Sequence, residues 1–165
     1  METDFKPLPL IKAEHCLLNK ELERFNFDNP LMDPIELAHI LTKNVIHYQG
    51  LALTATQLGL PYRAFVIVGA PVLCGFNPVI VDASSEQIYL EEVSLTHPGL
   101  KVKIKRPSII KIRYTDPNGK TETHKYIGLT ARLMQQMTDQ LNGISFIKKA
   151  SKYHLEQAKK QKEKV

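Results

Sequence analysis

Cysteine is scarce in this 165-residue chain, and Cys16 and Cys74 stand far apart without C-x-x-C spacing. That argues against a disulfide framework or a cysteine-built zinc site and reads as two small hydrophobes in a reducing compartment. No apolar run approaches the ~20 residues that a membrane span needs. The opening Met-Glu-Thr-Asp is acidic and lacks the basic-then-apolar order of a secretory leader. Also missing are a G-x-S-x-G elbow, a P-loop and a G-x-G-x-x-G dinucleotide fingerprint. Ser94 as a nucleophile has no histidine placed by spacing to act as its base. These absences lead us to expect a soluble, cytoplasmic protein with no membrane partner.

What is present begins with charge. The net charge of +5 comes from one end, because seven lysines between Lys148 and Val165 face only Glu156 and Glu163. Tyr153 is the one aromatic residue interleaved there, too few for a base-stacking platform, so a nucleic-acid or ribosome reading rests on this tail alone. Lys148, Lys149, Lys152, Lys159 and Lys160 are the candidate surface for an acidic protein partner.

Apolar content is ordinary, and the length suits one core. We expect a domain over residues 1–147, with residues 1–32 as an N-terminal arm, and a basic tail over 148–165 belonging to the same domain. Glu14 to Phe25 could form a short helix. Asp33-Pro34-Ile35-Glu36 offers a cap, a first-turn proline and an acid placed to reach back, and Leu37, Leu41, Val45 and Tyr48 continue as a core stripe. His39 and His47 on that helix are too distant to share a metal. Strands are expected at Ala64 to Val68, Phe76 to Asp82, Gln87 to Leu90 and Leu100 to Lys105. The last of these alternates apolar and basic residues. Ser108 to Tyr114 and Thr121 to Ile127 read as a hairpin around Asp116-Pro117-Asn118-Gly119. A final helix is expected over Lys148 to Lys164.

The chain is organised around Leu129 to Gly143, where Leu129, Leu133, Met137 and Leu141 repeat every four residues along one helix face. Gln136 and Gln140 emerge a turn apart on a neighbouring face, the geometry by which a helix holds a metal between two imidazoles. Here the imidazoles are amides. Read against H-E-x-D-H-L-x-G, the segment Gln136 to Gly143 keeps Asp139, Leu141 and Gly143 and resembles the metal-binding helix of peptide deformylases. Gly50 to Gln57 is similar to that family's G-x-G-L-A-A-x-Q, and Glu91 to Gly99 to its E-E-G-C-L-S-x-P-G, with Ser94 at the cysteine position. Asn77-Pro78 and the Asp116 to Gly119 turn also fall where the family has them. The resemblance covers roughly Asp33 to Phe146. It implies an α+β fold of mostly antiparallel strands packed around a long central helix, plus a C-terminal helix, with the arm wrapping the body.

The same resemblance implies a reaction, the hydrolysis of an N-formyl amide by a metal-bound water. Such a metal lowers the pKa of its water from ~15.7 to about 7 and is held by thiolate, imidazole or carboxylate ligands. At the three ligand positions this chain carries Ser94, Gln136 and Gln140, and Met137 stands in place of the proton-shuttling Glu. His97, near Ser94, points to the other side of an extended segment. Gln57 and the Leu95 amide, which in the family stabilise the oxyanion, are present, and Gln57 also reads as a buried amide fixing its loop. Ala52 and Val93 replace family glycines and are expected to narrow the cleft.

From these departures we expect a remnant site of Gln57, Ser94, Leu95, Gln136, Met137 and Gln140, with no catalytic role, no metal and no cofactor. The expectation is then a deformylase-like pseudoenzyme that serves as a structural or protein-interaction subunit. Because deformylase-like genes also occur in large tailed bacteriophages, a virion, tail or baseplate part is one setting. The alternatives are a formyl-peptide or ribosome binder, or a metal-dependent deformylase with a replacement site.

Overall fold

The structure, a computed structural model, describes residues 4–165, so the expectation drawn from the first three residues lies outside the described residues. Helix α1 spans Pro34–His47 and α2 spans Gly128–Leu141, while α3 runs Lys152–Glu163. Strands β1 (Ala52–Thr54), β2 (Ala64–Ile67), β3 (Leu73–Ala83), β6 (Ile109–Thr115) and β7 (Thr121–Ile127) form a five-stranded sheet in the order β1-β2-β3-β6-β7. Strands β4 (Gln87–Ser94) and β5 (His97–Pro107) make a separate two-stranded ribbon. Every pairing is antiparallel. The α+β architecture around a central helix is the one expected.

Local chemistry sets these elements. Asp33 accepts a hydrogen bond from the Ile35 N–H at 2.8 Å, which caps α1 ahead of Pro34. Leu37, Leu41 and Val45 then pack on the sheet with Leu53, Val66 and Phe76. The β6–β7 turn is held by Asp116, whose carboxylate accepts from the N–H groups of Asn118 and Lys120 at 2.9 and 3.0 Å. Along β5 the residues Leu100, Val102 and Ile104 are buried and Lys101, Lys103 and Lys105 exposed. The buried face packs on Phe146, Leu155 and Ala158, so the C-terminal segment covers the ribbon.

Helix α2 is enclosed on nearly every side, with ten of its fourteen residues buried. Leu133, Met134, Met137 and Leu141 pack on Phe65, Ile110, Ile112 and Tyr114 of the sheet. Leu129 departs from the expected stripe: at 57% exposure it lies beyond the sheet, on the rim of a cleft. The helix ends in a glycine cap. Gly143 has φ of +75°, and the Ile144 N–H bonds the Asp139 carbonyl at 2.9 Å.

Three expected elements need correction. Between Glu14 and Phe25 only Cys16–Leu18 is helical, as one 3₁₀ turn. Tertiary ties win there, since the Leu22 N–H bonds the Leu141 carbonyl and the Phe25 N–H bonds Asn77 Oδ1. The C-terminal helix is broken at Ala150, because Ser151 caps a new helix through the His154 N–H. Strand β5 extends beyond the expected 100–105, as its partner β4 reaches Ser94. The arm lies across α1, where Leu8 pairs with Asn44 and Tyr48. Among the described residues no helix is long and apolar enough to cross a membrane.

Candidate functional site

A cleft of about 450 Å³ opens between three elements: β1 with the 3₁₀ turn Ala55–Leu58, the end of β4, and one face of α2. Its volume is that of a small-ligand or peptide-end site. Each element arrives by a local device. Thr54 and Gln57 form a capping box, so the Gln57 Oε1 accepts from the Thr54 N–H at 2.9 Å. Gly50 lets the loop close on Leu95, since a Cβ there would stand 2.8 Å from the Leu95 side chain. Leu95 and Thr96 turn β4 into β5, with Ser94 paired to His97.

Of the residues singled out from the sequence, Gln57, Ser94, Leu95, Gln136 and Met137 line the cleft together, and Ala52 and Val93 form part of its wall. Gln140 does not reach it. Its Nε2 donates to the Leu18 carbonyl at 3.3 Å, which ties the arm to the back of α2. Gln57 is 2% exposed, and its Nε2 donates to Thr96 Oγ1 at 2.9 Å and reaches Ser94 Oγ at 3.4 Å. Gln136 Nε2 donates to the Val93 carbonyl at 2.8 Å. That partner fixes the amide orientation, because a flip would set two oxygens against each other. The Leu95 N–H enters no backbone hydrogen bond among the described residues. His97 turns away toward Ser145 and the Phe146 ring, and burial pulls its imidazole below the ordinary value.

Sequence reading missed several groups. Arg132 lines the cleft while its guanidinium donates to the Ile104 and Ile88 carbonyls at 2.9 and 2.8 Å. Glu92, on the same wall, receives both its hydrogen bonds from Arg106 Nε, at 3.0 and 2.9 Å. Arg106 also donates to Asp139 at 2.6 Å. Burial pulls the Arg106 guanidinium down, but hydrogen bonds and charge from Glu92 and Asp139 more than offset it. The T-x-x-Q spacing of Thr54 and Gln57 was a readable signal for the capping box, whereas the Glu92–Arg106–Asp139 network depends on the ribbon register and had none. The five candidate lysines of the tail are all exposed, and Lys149 lies 3.8 Å from Asp139.

The metal that the resemblance implies does not fit this donor set. The three positions offer a hydroxyl and two amides, and the nearby carboxylates Glu92 and Asp139 are already paired with arginine. Among the described residues no three His, Cys, Asp or Glu side chains stand close enough to hold an ion.

The sequence model described as polypeptide deformylase matches residues 7–156. A peptide deformylase of Wolbachia sp. subsp. Brugia malayi is 36% identical over 143 residues, covering 78% of this chain and 80% of the relative. A peptide deformylase-like protein of Rhizobium meliloti is 32% identical over 160 residues, covering 94% and 91%. Among solved structures, a peptide deformylase of Synechococcus elongatus in complex with actinonin superposes with a TM-score of 0.85 at 25% identity, covering 99% of this chain and 90% of that one. The peptide deformylase of Thermotoga maritima gives 0.82 at 26% identity, covering 89% and 99%.

These matches overturn the expectation of a pseudoenzyme kept as a structural subunit. Relatives named for an enzyme align over most of the chain, and none of these matches points to a virion, tail or baseplate part. The chain belongs to the polypeptide deformylase family.

Proposed function

We propose that this chain is a hydrolase of the deformylase kind, acting at the N-terminal end of formylated peptides. The observation that carries the reading is the family match over residues 7–156, which spans all three walls of the cleft. The cleft supports it further, being largely apolar with a few convergent polar groups. In the reaction, water adds to the formyl carbon, the carbon–nitrogen bond breaks, formate leaves and the freed amine takes up a proton. The Leu95 N–H, without a partner among the described residues, can bond the formyl oxygen beside the fixed Gln57 amide. Leu129, Leu133 and Met137 supply an apolar wall for the first side chain.

No step is assigned to a metal, because the residues at its place do not fit one. The chain's own groups bind the peptide and orient its formyl group for attack by water, so turnover is expected to be slower than with a metal-activated water. A cytoplasmic setting belongs to the same reading, as does a docking role for Lys148, Lys149, Lys152, Lys159 and Lys160 toward an acidic partner. The test is formate release from a formyl-Met tripeptide, with the unformylated tripeptide as control. Saturable release above the buffer rate is expected. Absence of both release and binding would remove the reading.

A further inference from the structure

We infer that the centre of the cleft is a neutral hydrogen-bonding site that reads the formamide group itself and takes up no transition metal. The formamide half of this inference rests on the function proposed above.

Two kinds of observation carry it. The first concerns the nitrogens and the charges. The amide nitrogens of Gln136 and Gln140 are committed to the Val93 and Leu18 carbonyls, at 2.8 and 3.3 Å, so both side chains serve as structural ties. Gln140 moreover does not line the cleft. A cation there would therefore meet one amide oxygen and one hydroxyl. Of the acids near the cleft, Glu92 lies 2.9 Å from Arg106 and 3.8 Å from Arg132, Asp139 lies 2.6 Å from Arg106 and 3.8 Å from Lys149, and Glu91 lines the cleft with its side chain exposed to solvent. Soft or borderline divalent metals are held by thiolate and imidazole, and neutral oxygens hold them feebly.

The second concerns what the ties leave over. The Ser94 hydroxyl oxygen accepts from the Thr96 N–H at 3.3 Å and from Gln57 at 3.4 Å, and its own O–H meets no acceptor among the described residues. The Gln136 Oε1 meets no donor among them either. Both side chains line the cleft. A free donor and a free acceptor complement the carbonyl and the N–H of a secondary formamide, which a free ammonium terminus does not offer.

The experiment uses the chain as purified. Elemental analysis and cobalt(II) titration, read by visible absorption, are run on the chain and on Gln136→Ala. Calorimetry compares a formyl-Met tripeptide with the unformylated tripeptide, with and without a chelator. We expect less than about 0.1 equivalent of metal at the site. Formyl-peptide binding should be unchanged by chelator and about tenfold weaker in Ser94→Ala, the loss of one hydrogen bond. One equivalent of metal that disappears in Gln136→Ala overturns the neutral centre and leaves the substrate class standing. Absence of formyl-peptide binding in either state removes the substrate class, and the formamide half with it.

Discussion

Glu92 illustrates how much of this molecule turns on single side chains. Its carboxylate, with 1% side-chain exposure, takes both oxygens to Arg106 and lies 3.8 Å from Arg132. Removing one partner of a buried ion pair leaves uncompensated charge, which costs about 3–5 kcal/mol. Glu92→Ala is therefore expected to lower unfolding free energy by that amount in urea titration, and a change below about 1 kcal/mol would show that Asp139 alone suffices for Arg106. Among the described residues the Arg106 Nη2 has no partner even in the intact network, so there is little slack. None of this was legible in the sequence. Glu91-Glu92 was visible as a motif, but which glutamate turns inward depends on pairing Glu92 with Val102 in the ribbon. By contrast, Ser94, Gln136 and Met137 were legible as cleft residues from spacing and family pattern alone, and they do line it. Gln140 was read with them yet faces the arm, because Leu18 supplies a carbonyl from 122 residues away.

At the scale of the element, α2 was the most legible part of the chain, since its apolar period and terminal glycine are local signals. Its cap ties the helix to the arm. At Gly143 a Cβ would stand 2.6 Å from the backbone of Lys20, at a φ of +75°. Gly143→Ala should cost more than about 2 kcal/mol, from the left-handed backbone and the clash together. Thermal unfolding measures it, and an unchanged midpoint would mean that the arm moves aside freely. The arm itself was poorly legible. Its shape comes from hydrogen bonds to Gln57, Asn44, Asn77 and Leu141, all distant in sequence, and its own residues carry no periodicity. The break before α3 was missed for a different reason: Ser151 is a good cap, but lysines on both sides of it favour helix equally.

At the scale of the whole molecule, the C-terminal segment closes the ribbon over His97, which sits against Phe146 with burial holding its imidazole below the ordinary value. Glu14 opposes that shift and Lys162 adds to it. A histidine whose pKa is depressed by folding stays neutral in the native state, while the unfolded chain takes a proton from about pH 6.5 downward. Its contribution to stability is therefore full above that pH and lost as pH falls through the folded value. Between pH 7.5 and 5.5 the melting temperature should fall further for the native chain than for His97→Gln; equal slopes would assign the acid sensitivity to other groups.

The family fold, all its walls and an open cleft of about 450 Å³ stand together in a chain whose central donors are neutral. Formate release from a formyl-Met tripeptide, by protein whose metal content is measured in the same sample, tests this account most directly. Saturable release that persists in chelator and exceeds the buffer rate is predicted. Formate appearing no faster than in buffer, with no peptide bound, would contradict it.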